Sequence, residues 1–197
     1  MLARPTIFQV IQILKPQIGT AFHVPKTANK GSAGLFLEQV TGIPQSSACL
    51  DCEDGEVKAY PLKKLIRKGK LGIAGDYVPK ETVAITMMVP NKMATEPWAD
   101  TRVCNKIKNV LFVAYERNGD SVIFKYLQVL RQEDQEDLFA QFEQDYNEIK
   151  EIFIATDIIT SRTGTLIQSR TKGPGKNAPK TRAYYFRPAL MHQLPQI

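Results

Sequence analysis

The sequence predicts an α/β fold, a mixed β-sheet with helices packed on its faces. Three observations carry that expectation. Apolar runs of strand length occur at residues 82–89, 109–115 and 121–130, and the last two flank Asn118-Gly119, a dipeptide suited to a tight hairpin turn. In residues 134–153, Leu138, Phe142, Tyr146, Ile149 and Phe153 recur every three or four positions, the period of one helix face. No repeat, low-complexity tract or linker interrupts the 197 residues, so a single domain is expected, with room for two lobes.

The elements follow in order. Residues 6–14 are apolar and read as a helix closed by Lys15-Pro16, because the residue before a proline avoids helical dihedrals. Residues 25–30 form a polar loop. Residues 31–40, with Leu35, Leu37 and Val40, read as a second helix that ends near Gly42 and Pro44. Residues 47–62 read as a hairpin turning at Glu53-Asp54-Gly55, and 63–80 as a basic loop with three glycines. Beyond the long helix come a short segment at 165–169, a Gly/Pro/Lys loop at 172–180 and a last strand at 182–187. The acidic residues of the long helix are expected to fill the face opposite its apolar stripe.

The charge is unevenly spread. The net charge is +6. Between Glu133 and Glu151 stand eight acidic residues and one base, Lys150, so the remainder carries +13. From Ile158 onward there are seven basic residues and no acid. A basic surface and a separate acidic helix suit a protein that binds a polyanion. No apolar run reaches the roughly eighteen residues of a membrane helix. The first residues lack the apolar stretch of a secretory signal. Three cysteines are an odd count for a disulfide framework, which favours a reducing, cytoplasmic location.

The candidate chemistry lies in Leu50-Asp51-Cys52-Glu53-Asp54-Gly55-Glu56-Val57-Lys58. Residues two apart on a strand share a face, so Glu56 and Lys58 are expected side by side. Asp51, on the facing strand of the hairpin, would join them. Two close carboxylates make a hard-oxygen site suited to Mg²⁺, with Mn²⁺ able to substitute. A neighbouring lysine can orient water and stabilise developing negative charge. Acid-x-lysine spacing is common, and a solvated, charge-paired hairpin is the plainer reading of these residues alone.

The order of motifs along the chain narrows the choice. Asn29-Lys30-Gly31-Ser32-Ala33-Gly34-Leu35-Phe36-Leu37-Glu38, followed by Gly42, resembles the N-terminal helix motif of the MutH/type II restriction endonuclease family. The Asp51…Glu56-x-Lys58 core follows, and then a tryptophan-led segment from Pro97-Trp98 through Lys106 to Val113. Ser169-Arg170-Thr171-Lys172-Gly173 and Arg182-Ala183-Tyr184-Tyr185-Phe186-Arg187 are similar to the family's two DNA-contacting segments. The spacing between Asp51 and Glu56 is shorter than the family's usual one, which leaves Glu53 and Asp54 as alternative ligands. Asp51 is favoured because turn residues should face solvent.

The resemblance implies a restriction-endonuclease-like mixed sheet with two lobes around a DNA cleft. It implies a Mg²⁺-dependent endonuclease acting at GATC or a related short site, in restriction or in mismatch-repair nicking. Glu38, Asp51, Glu56, Lys58 and Lys106 would form the catalytic centre, with Asp51 and Glu56 as metal ligands. Arg170, Lys172, Lys176, Arg182 and Tyr185 would face DNA, and Lys63 and Lys64 would bind phosphates. Residues 1–45 would be a helical part, 46–130 the catalytic sheet, 131–157 the acidic packing helix and 158–197 the recognition part. Double-stranded DNA is the expected partner. A second copy on DNA is expected if both strands are cut, and a MutL-like activator if the chain serves repair. The competing expectation is a DNA-binding domain of this family without catalysis.

Three other signals carry less. Cys49-Leu50-Asp51-Cys52 is a C-x-x-C pair, but a structural zinc site needs four ligands. Gly173-Pro174-Gly175-Lys176-Asn177 lacks the spacing and the hydroxyl residue of a phosphate loop. His23 and His192 lie outside every motif.

Overall fold

The computed structural model describes residues 3–26, 31–46, 48–69, 72–158, 160–172 and 181–197. The chain divides into two compact units. The first comprises Met1–Glu81, Asn109–Leu130 and Leu194–Ile197, and the second Thr82–Lys108 and Arg131–Gln193.

The first unit opens with helix α1 (Ile7–Leu14). Thr6 caps it reciprocally: its hydroxyl accepts the Gln9 backbone N–H, and the Gln9 side chain accepts that of Thr6. Strand β1 (Ala21–His23) and helix α2 (Ser32–Thr41) follow. Gly42, at φ 71°, ends α2 in the left-handed conformation that glycine adopts at little cost. Strands β2 (Glu56–Lys64), β3 (Tyr77–Pro79), β5 (Asn109–Asn118) and β6 (Ser121–Arg131) complete a five-stranded sheet in the order β1-β6-β5-β2-β3. It is mixed, because β2 runs parallel to β5 while β3 and β1 are antiparallel to their neighbours. Ile7, Val10, Ile11 and Leu14 of α1, with Ala33 and Leu37 of α2, cluster with Val57, Leu111, Val113 and Phe124 of the sheet. Alternate side chains of β5 on its other face, Val110, Phe112 and Ala114, are buried as well, which explains the unbroken apolar run there.

The second unit holds β4 (Val83–Met87), α3 (Pro90–Met93), α4 (Arg102–Ile107), α5 (Glu136–Thr156), β7 (Ile167–Lys172), β8 (Thr181–Phe186) and α6 (Pro188–Met191). Its three strands run in the order β4-β8-β7, all antiparallel. Helix α5 packs on this sheet through Phe142 against Phe186 and Tyr146 against Tyr184, each pair with ring centroids 5.9 Å apart. Trp98 stacks on the same Tyr146 at 5.2 Å.

Three expectations change. The hairpin expected over 47–62 does not form: residues 48–55 carry no strand, and β2 begins at Glu56. The turn residues are held by other partners, and β2 pairs in parallel with the apolar β5 instead, from Glu56↔Val110 to Pro61↔Tyr115. The buried stripe of α5 begins at Phe139 rather than Leu138. Asp145 lies on that buried stripe, not with the other acids, because it bonds the backbone of the segment that leads into β7.

Candidate active site

Asp51 is presented by a pinned loop. The Arg4 guanidinium donates to the Leu50 carbonyl at 2.9 Å, and the Glu53 N–H donates to Pro5 at 3.1 Å. The Cys52 side chain is fully buried in the core beside α1, and its N–H donates to the Gly55 carbonyl at 2.9 Å. The Asp54 carboxylate accepts the Ile7 N–H at 2.8 Å, at the start of α1. A Cβ on Gly55 would stand 2.4 Å from the Asn109 carbonyl oxygen, so only glycine lets the loop pass this close to β5. Asp54 is thus committed to α1, and Glu53 is exposed.

From that loop Asp51 reaches the start of β2. Its Oδ2 accepts the Val57 N–H at 3.1 Å and the Lys58 ammonium at 3.3 Å. The same ammonium donates to Glu56 Oε2 in a short hydrogen bond. Glu56 is entirely buried, whereas the Asp51 and Lys58 side chains keep 35% and 21% of their exposure. The cation therefore meets solvent and the deeper acid does not.

The electrostatics fit this geometry. Burial by itself would lower the Lys58 ammonium, but Asp51 and Glu56, through charge and hydrogen bonds, outweigh it and hold Lys58 above its ordinary 10.5. Glu38, half-buried on α2, is raised above 4.5 by burial and then by the negative charge of Asp51, with Lys58 opposing. That coupling marks Glu38 as a neighbour of the pair. The Cys52 thiol is pushed up to about 12 by burial and by Asp51, Asp54 and Glu56. A thiol so far from thiolate is a poor metal ligand or nucleophile, and Cys49 is exposed.

Among the described residues, no group of three or more His, Cys, Asp or Glu side chains could hold a metal ion. Mg²⁺ is commonly held by one or two carboxylates with water and substrate phosphate completing its shell. Asp51 and Glu56 already converge on one cation, the Lys58 ammonium, so this donor set fits a Mg²⁺ ion.

The structure thus brings Glu38, Asp51, Glu56 and Lys58 together in the first unit. Lys106, part-buried, stands in the last turn of α4 in the second unit. Lys63 and Lys64 are exposed at the far end of β2. Arg170 and Lys172 are exposed on β7, and Arg182 is half-buried on β8. Arg170 donates to Thr82 Oγ1 at 2.9 Å and lies over the Tyr185 ring at 5.9 Å. Tyr184 takes the core side of β8 and Tyr185 the partly open side, as alternation on a strand requires. Lys176 and the 173–180 loop lie outside the described residues, as do Asn29 and Lys30 of the N-terminal motif. Sequence reasoning missed the loop that carries Asp51; its signal was Asp54-Gly55, an acid able to cap a helix next to a glycine, which the hairpin reading absorbed.

These residues fall within a known family. The family described as "DNA mismatch repair enzyme MutH" matches residues 45–151, more than half of the chain. The chain belongs to the MutH family, which supports a DNA endonuclease-like function. The match contains Asp51, Glu56, Lys58 and Lys106, and excludes Glu38 and the segments on β7 and β8. Among solved structures, the chain is similar to one titled "Restriction endonuclease MvaI-cognate DNA substrate complex". The identity is 11%, the TM-score 0.44, and the similarity covers 96% of this chain and 95% of that one. No curated protein matches the chain. With the mixed five-stranded sheet, family membership accords with the restriction-endonuclease-like α/β class expected from sequence. Among the described residues no helix is long and apolar enough to cross a membrane.

Proposed function

We propose that the chain is a Mg²⁺-dependent, sequence-specific DNA endonuclease that hydrolyses a phosphodiester at GATC or a related short site. The observation that carries this reading is the convergence of Asp51 and Glu56 on the Lys58 ammonium, with Glu38 in the same field. Asp51 and Glu56 would hold Mg²⁺, or Mn²⁺ in its place. When bound, the ion supplies charge neutralisation at the scissile phosphate and a bound water of lowered pKa.

The chain's own residues divide the remaining work. Lys58, held above its ordinary pKa, stays an ammonium at neutral pH. It therefore serves as a donor that orients the attacking water and faces the charge that grows on phosphorus, not as a base. Glu38, whose proton affinity exceeds that of a free carboxylate, is suited to accept a proton from that water. Lys106, on α4, is assigned a catalytic role by its place in the tryptophan-led segment that resembles the family's. Recognition falls to Arg170, Lys172, Lys176, Arg182 and Tyr185, since arginine can pair bidentately with guanine while lysine meets phosphate. Lys63 and Lys64 add phosphate contacts. One chain carries one such centre, so cutting both strands calls for a second copy or a second encounter with the DNA, whereas repair nicking calls for a MutL-like activator.

The test is a digest of GATC-containing plasmid, unmethylated, hemimethylated and fully methylated, with and without Mg²⁺. The expected result is Mg²⁺-dependent cleavage at GATC, and the three forms show whether methylation alters it. Salt-sensitive duplex binding with no cleavage under any divalent ion would instead make the chain a non-catalytic binding domain.

A further inference from the structure

The segment between β2 and β3 is not the open loop that its composition suggests. The Leu65 N–H donates to the Asp76 carbonyl and the Gly75 N–H to the Leu65 carbonyl, each at 2.8 Å. Further out, Gly69 and Gly72 form an antiparallel bridge. Residues 65–69 and 72–76 thus form an antiparallel arm that prolongs β2 and β3; residues 70 and 71 lie outside the described residues. Its base is braced: the Tyr77 hydroxyl donates to Glu116 at 2.9 Å, and the Lys125 ammonium sits 4.7 Å from the Tyr77 ring centre.

Two features of the arm have no role within the fold. Ile66 is 96% exposed and Ile73 60%, among the most exposed isoleucines of the described residues. Around them stand Lys63, Lys64, Arg67 and Lys68, all exposed. From residue 62 to 79 there is one acid, Asp76, whose carboxylate accepts the Ile73 N–H at 2.8 Å. Exposed isoleucines among four exposed cations match a duplex, whose phosphates take the cations while its base stack takes the apolar group.

Resting on the reading of this chain as a DNA-binding protein, we propose that the arm is a second DNA-contacting element, seating Ile66 at a base step from the minor groove while Lys63, Lys64, Arg67 and Lys68 hold the flanking phosphates. Lys64 lies six residues beyond Lys58 on one strand. At about 3.3 Å per residue that is roughly 20 Å. At about 3.4 Å per base step, this spans roughly six base pairs from the catalytic lysine. The arm therefore contacts DNA outside a four-base recognition site.

The experiment measures duplex binding by the full chain in the absence of divalent metal, with 2-aminopurine placed at successive steps within about six base pairs of GATC. The unsubstituted chain should raise the fluorescence at one step, the sign of unstacking. Ile66→Ser should abolish that rise and weaken binding by about ten-fold. Arg67→Ala with Lys68→Ala should lower the slope of log affinity against log salt by about 2. Because Ile66 is exposed, Ile66→Ser should leave thermal unfolding unchanged, and equal melting checks that. If Ile66→Ser binds DNA with unchanged affinity and unchanged fluorescence, the arm proposal is overturned while the DNA reading stands. If the unsubstituted chain binds no duplex, both fall. If the variants lose binding to phosphatidylserine vesicles, or self-association, with DNA binding intact, the arm serves another partner and the proposal is wrong.

Discussion

Among the described residues each compact unit buries one carboxylate, and the two are held in opposite ways. Glu56, fully buried in the first unit, is answered by a side-chain ammonium that still meets solvent. Asp145, 1% exposed in the second unit, is answered by the main chain. Its carboxylate accepts the N–H groups of Thr165, Leu166 and Ile167 at 2.6–2.8 Å and the Gln141 amide at 2.9 Å. Main-chain donors cannot leave without unfolding the segment, whereas a lysine can swing away to make room for a metal ion or a phosphate. Burial of an acid therefore does not identify a site; the freedom of its partner does. The turn beside Asp145 is fixed as tightly: Gly164, at φ 82°, has the Ile167 carbonyl oxygen where a Cβ would be, 2.0 Å away.

Substitutions should separate these two roles. Asp145→Ala strands three backbone donors and should lower stability by roughly 3–5 kcal/mol, since each buried donor left without a partner costs about 1–3 kcal/mol. Urea unfolding measures it, and a loss below about 1 kcal/mol would remove the contrast. Glu56→Gln should behave in reverse. It keeps the shape, and Lys58 retains Asp51 and solvent, so stability should change by less than about 2 kcal/mol. DNA cleavage should fall by at least ~10²-fold. Equal cleavage by Glu56→Gln and the unsubstituted chain would make Glu56 as structural as Asp145.

The smallest expected effect is on Glu38. Its carboxyl is raised above 4.5, so the folded state binds that proton more tightly than the unfolded one. Stability then falls as pH rises through the window that opens at 4.5. Glu38→Gln should therefore be slightly the more stable protein near neutral pH, by less than about 1 kcal/mol because the group is half-exposed. The difference should close below pH 4.5. A Gln variant less stable at neutral pH would mean that Glu38 is held by favourable partners instead. Lys58 has the same sign in a higher window: raised above 10.5, its ion pairs persist at neutral pH and are lost only as pH climbs past that value.

Much of this was legible in the residues because it is periodic or punctuated. Strands β5 and β6 announced themselves by apolar runs around Asn118-Gly119, and Gly119 does take a positive φ of 61° in their turn. Helix α5 was readable from its stripe, expected over 134–153 and found over Glu136–Thr156. Glu56 and Lys58 followed from their spacing on a strand. The setting of Asp51 was not legible, because the loop from 48 to 55 is shaped by Pro5, Ile7 and Asn109, residues about fifty positions away. No local pattern encodes such contacts. For the same reason the parallel pairing of β2 with β5 was missed, and a local hairpin took its place in the reading. Asp145 was misplaced because an acid on an acidic helix looks solvated until its backbone partners, some twenty residues later, are seen.

The central claim is that Lys58, between Asp51 and Glu56, serves DNA hydrolysis. The most direct measurement is the rate of GATC plasmid cleavage in Mg²⁺ by the unsubstituted chain and by Lys58→Ala, with duplex binding and melting recorded beside it. The account predicts cleavage by the former and a rate at least ~10²-fold lower for the latter, with DNA binding retained. Equal rates in the two proteins would contradict it.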